Sequence, residues 1–78
     1  MKRILSNWSK SIKHAMIDRD MDFNDIALRF NWTPQYVSAL INGRIYFIEP
    51  VRRLSIFFNV AIPPENSTLA VERKENNA

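Results

Sequence analysis

Cysteine is absent from this 78-residue chain, and histidine and glycine each occur once, as His14 and Gly43. No disulfide or thiolate metal site can therefore form, and one imidazole falls short of the three or four ligands that zinc takes. Without a glycine-rich loop there is no backbone cradle for a nucleotide phosphate. With one histidine and no thiol, the sequence shows no acid–base or nucleophilic constellation. No apolar run approaches the roughly 20 residues of a membrane helix, and the N-terminus has no signal-peptide core. The expectation from these absences is a cytoplasmic protein with no membrane association, no metal, no cofactor and no enzymatic activity.

What remains suits one small domain. Apolar residues make up 46% of the chain and nine side chains are aromatic, enough for a core, although a single core of this size is only marginally stable. Net charge is +3. Residues 1–60 hold nine Lys or Arg against five Asp or Glu, a balance of +4, and the remainder holds two against three, a balance of −1. A modestly basic body fits nucleic-acid binding, but many proteins that bind none share it.

Apolar spacing is helical throughout, and no stretch alternates like a strand. Trp8, Ile12, Ala15 and Met16 form one stripe on a helix of about residues 6–19. Phe23, Ile26, Ala27 and Phe30 form the next, and Val37, Leu40 and Ile41 the inward face of a third. Val51, Leu54, Ser55 and Phe58 mark a fourth, opened by Glu49-Pro50 and closed by Asn59. The expected fold class is all-α: a compact bundle of four to five short helices without a β-sheet, occupying residues 1–62. Pro63-Pro64 stops the helical pattern, and residues 63–78 read as a polar tail, disordered or weakly helical, in which Leu69 and Val71 can anchor a brief turn.

The densest signal runs from Met21 to Asn42. Asp22, with Asp25 three residues on, caps the second helix, and Thr33 with Pro34 opens the third. Gly43 then stops it. Two short helices across a tight turn are the geometry that delivers one of them to a DNA major groove.

The Ile26-Ala27 pair, Asn31 in the turn, Val37, Ser38 and Leu40, the Asn42-Gly43-Arg44 exit and the Leu54–Val60 helix together resemble the lambda-repressor-like (Cro/Xre-type) helix-turn-helix family. The likeness spans about Trp8 to Val60 without a gap. It implies that the second and third helices form the helix-turn-helix and that helix 34–42 is the reader. In the family the turn usually holds glycine; asparagine tolerates the same left-handed backbone.

Independently, the outward side of the third helix carries Gln35, Ser38, Ala39 and Asn42, which are small or hydrogen-bonding. Gln35 suits an adenine edge and Ala39 a thymine methyl, and Tyr36 flanks them, so Gln35, Tyr36, Ser38 and Ala39 are the candidate base readers. Thr33, Asn42, the Gly43 amide and Arg44 are candidate contacts to the DNA backbone. Arg29, Arg52 and Arg53, with Lys10 and Lys13, are further cations able to meet phosphate. Trp32 reads as a packing lid over the turn.

Three departures from the family pattern stand out. Phe23 occupies the position where relatives carry a phosphate-contacting glutamine, inside a stretch from Asp18 to Asp25 with four aspartates and one arginine. Met16 and Ile41 stand where many relatives bury an Arg–Glu pair, an exchange that apolar packing tolerates. The usual polar loop after the reader is replaced by Ile45-Tyr46-Phe47-Ile48. These four either fold back as core or form an exposed protein interface, most naturally with a second copy, since a two-fold dimer presents two readers to half-sites one DNA turn apart.

The resulting expectation is a small sequence-specific regulator, a repressor of the kind phages and mobile elements encode, binding double-stranded DNA as a homodimer. The alternative is an antirepressor that keeps the fold and seizes a partner repressor protein through residues 45–48 or the reading face.

Overall fold

The computed structural model describes residues 3–72. Helix α1 (Asn7–Asp18) starts where the Ser6 hydroxyl accepts from the Ser9 amide. Helix α2 (Phe23–Phe30) starts with a reciprocal cap: the Asp22 carboxylate accepts from the Asp25 amide at 2.9 Å, and the Asp25 carboxylate from the Asp22 amide at 3.0 Å. Two of the clustered aspartates thus satisfy helix-end donors and complement the positive end of the macrodipole. Thr33 caps α3 (Pro34–Ile41), whose first residue is the proline that needs no amide there. Helix α4 (Ile48–Phe57) begins one residue ahead of Glu49-Pro50, and Phe47 at its N-cap offers no side-chain acceptor. Pro50 still lies in the first turn, where its missing N–H costs nothing.

The four helices among the described residues end alike, in a residue with left-handed backbone: Asp20 (φ 53°), Asn31 (61°), Gly43 (74°) and Asn59 (56°). After each, the next amide reaches back to a carbonyl of the last turn, from Met21 to Met16, Trp32 to Ala27, Arg44 to Ala39 and Val60 to Ser55, at 2.8–2.9 Å. These bonds satisfy carbonyls that a helix end otherwise orphans. A chain with one glycine makes three of these stops with Asp or Asn.

The core draws on every helix: Trp8, Ile12 and Met16, then Ile26 and Ala27, then Val37, Leu40 and Ile41, then Val51 and Leu54, with Phe58 just beyond α4. Met16 and Ile41 are both buried in this apolar cluster. One polar link crosses this core. Trp8 Nε1 donates to Ser55 Oγ at 2.8 Å, and that hydroxyl donates to the Val51 carbonyl at 2.7 Å. Both donors of this link are matched, which ties α1 to α4 and leaves neither polar group orphaned.

One sequence expectation needs correction. Some β pairing exists: Arg3–Ile4 (β1) lies antiparallel to Val71–Glu72 (β2), with Ile4 opposite Val71. Two residues a side leave the all-α class unchanged. Between Pro64 and Glu72 the described chain folds back onto the body of the domain. It turns at Asn66, buries Thr68 completely, and sends the Ala70 amide to the Gly43 carbonyl at 2.9 Å. Thr68 and the Ala70 amide had no mark in the sequence pattern, because burial of a polar run follows from where the chain returns. The rest of the expected tail, residues 73–78, lies outside the described residues. No helix among the described residues is long and apolar enough to cross a membrane.

Candidate nucleic-acid interface

Helices α2 and α3 pack against each other across the three-residue turn Asn31-Trp32-Thr33. With Val37, Leu40 and Ile41 fully buried, helical geometry puts Gln35, Ala39, Asn42 and Ser38 on the opposite strip. Gln35 is exposed, and Ser38, Ala39 and Asn42 are half-buried. Thr33 is exposed at the head of this strip, with its hydroxyl accepting from the Tyr36 amide at 3.1 Å.

The polar groups of the strip are already connected. Ser38 Oγ accepts from Asn42 Nδ2 at 3.1 Å and from Arg44 Nη2 at 3.2 Å. Arg44 is exposed, yet its side chain doubles back over the helix it follows. Gly43 does not join the outward group expected of it. It is buried, its amide donates to the Leu40 carbonyl and its carbonyl accepts from Ala70, so neither polar atom is free for a phosphate.

One flank of the strip is aromatic. Trp32 stacks on Phe30 at 4.7 Å between centroids, and Tyr36 meets Trp32 edge-on at 5.4 Å and Phe47 at 6.5 Å. Trp32 is thus the lid over the turn. Tyr36, half-buried between two rings, has less freedom to reach a base than its position on the helix suggests. The apolar connection divides in two: Ile45 and Tyr46 pack against the core, while Phe47 and Ile48 are each 53% exposed, and Ile48 is already helical.

The outlying cations separate as well. Arg52 and Arg53 are exposed on α4, as Lys10 is on α1, and Lys13 is half-buried. The Arg29 guanidinium lies 5.0 Å from the Phe57 ring centroid, and Arg19 lies 5.2 Å from the same ring while donating to the Phe57 carbonyl at 2.9 Å. Arg19 was not among the candidate residues. Its placement neutralises the negative end of α4, a role with no local sequence signal because the two residues are 38 positions apart. Comparisons with protein-family models, curated proteins and solved structures find no match for this chain.

Proposed function

We propose that this protein is a small sequence-specific DNA-binding regulator, a repressor that works as a cytoplasmic homodimer with α3 in the major groove. One observation carries the reading: the outward strip of α3 bears only small or hydrogen-bonding side chains, and its ends, Thr33, Gln35 and Arg44, are exposed. An α-helix with such a face fits the width of the groove, and its side chains match base-edge donors and acceptors. Gln35 takes an adenine, Ala39 packs on a thymine methyl, and Arg52 and Arg53 supply phosphate charge. The resemblance to the lambda-repressor-like family supports the same assignment.

A second reading is favoured by Phe47 and Ile48, exposed beside the strip. Exposed apolar side chains there suit a protein partner, either a second copy or a repressor that this chain inhibits. A titration of the full chain against the duplex upstream of its own gene, at two salt concentrations, separates the two. A regulator binds that duplex at least about tenfold more tightly than a random one, and both affinities fall as salt rises. Equal, weak binding to both duplexes sinks the DNA reading. Sedimentation at the same concentrations reads the oligomeric state.

A further inference from the structure

We infer that Arg44 is a base-reading residue that takes a guanine, an assignment that rests on the DNA-binding reading above. Position alone would send Arg44 to a phosphate, because it lies beyond the end of α3. Its side chain goes elsewhere. Arg44 Nη2 donates to Ser38 Oγ, six residues earlier, so the guanidinium is drawn back over the middle of the outward strip. Asn42 Nδ2 donates to the same hydroxyl, and three side chains make one network there.

The partner is a neutral hydroxyl, which does not itself neutralise the positive charge, and an exposed guanidinium keeps donors to spare. Its planar fork matches the O6 and N7 acceptors that guanine shows in the major groove. Ala39 beside it adds no bulk.

The backbone beneath Arg44 is held from both sides. Its amide donates to the Ala39 carbonyl at 2.9 Å. The preceding Gly43 carbonyl accepts from Ala70, and backbone atoms of Thr68 and Ala70 fill the space beside the Gly43 Cα. A side chain rooted so firmly and guided by Ser38 loses less freedom on binding than a loop arginine does. Ser38 is then a positioning residue for Arg44, and its direct role with a base falls away.

The test selects a library of randomised duplexes with the full chain and repeats the selection with Arg44→Lys, Arg44→Ala and Ser38→Ala. Wild type enriches a motif containing a G·C pair that Arg44→Ala no longer requires and Arg44→Lys requires less strictly. Changing that pair in the selected duplex weakens wild type about tenfold or more and Arg44→Ala hardly at all. Ser38→Ala reduces discrimination at the same pair and at no other. Uniform weakening of selected and random duplexes by Arg44→Ala, with Arg44→Lys close to wild type, marks a phosphate contact and overturns this assignment while leaving the DNA reading intact. Enrichment of no sequence by wild type overturns both.

Discussion

The turns on either side of α3 pass through the same left-handed backbone, at Asn31 (φ 61°) and at Gly43 (φ 74°), yet only the second uses glycine. Backbone conformation is common to both, so it cannot be the reason for the choice. Surroundings differ. Asn31 is exposed, and a side chain there meets solvent. At Gly43 a Cβ would lie 2.5 Å from the Ala70 nitrogen and 2.6 Å from the Thr68 carbonyl oxygen. Those are main-chain atoms, which cannot swing aside as a side-chain tip would. The entrance to α3 is an open turn, and its exit lies under the returning segment from Thr68 to Ala70.

The largest break in this contrast is Gly43→Ala. Left-handed strain costs about 1 kcal/mol for an alanine, and forcing a methyl against packed backbone adds about 1–3 kcal/mol. A loss of about 2–4 kcal/mol, read from urea unfolding, is the expected outcome. Amide exchange should quicken at Ala70 and Val71 along with it. A loss below about 1 kcal/mol would mean that the strand lifts away easily and does not lock the exit.

Much of the frame was legible because its causes are local. Periodic apolar residues, the Asp22 and Thr33 caps, Asn31 and Asn59 as stops, and the inward face of α3 all follow from residues a few positions apart. What escaped depends on distant parts of the chain. Burial of Thr68, pairing of Ile4 with Val71, and the hold of Arg19 on the end of α4 each join residues too far apart for any periodicity to register. The candidate site divides the same way. Gln35 and Ala39 sit on the strip that helical geometry assigns them. At Gly43 the sequence is silent about burial, because a helix-stop glycine reads the same whether or not a returning segment covers it. The course of the Arg44 side chain depends on a hydroxyl that a helical wheel marks only as outward.

Within the locked exit one flaw offers a smaller effect of opposite sign. Thr68 is fully buried and its hydroxyl has no hydrogen-bond partner among the described residues. A buried orphan of this kind costs about 1–3 kcal/mol, and a methyl of similar size removes it. Thr68→Val should therefore raise stability by about 1 kcal/mol in the same urea experiment, slowing exchange at the Ala70 amide. Destabilisation instead would show that the hydroxyl is used.

The smallest expected change sits at the open turn and is the most discriminating. Asn31→Gly removes the mild strain of a left-handed asparagine but gives the unfolded chain more freedom to lose, two terms that nearly cancel. Stability should move by no more than about 0.5 kcal/mol in either direction. Asn31→Ala, without a side-chain amide to ease the conformation, should cost about 1 kcal/mol. If Asn31→Ala proves as damaging as Gly43→Ala, backbone strain alone governs both turns and the crowding under the strand contributes nothing. A clear gap between the two alanine variants, with Asn31→Gly near neutral, assigns the difference to the Thr68 and Ala70 main chain pressed against the exit of α3.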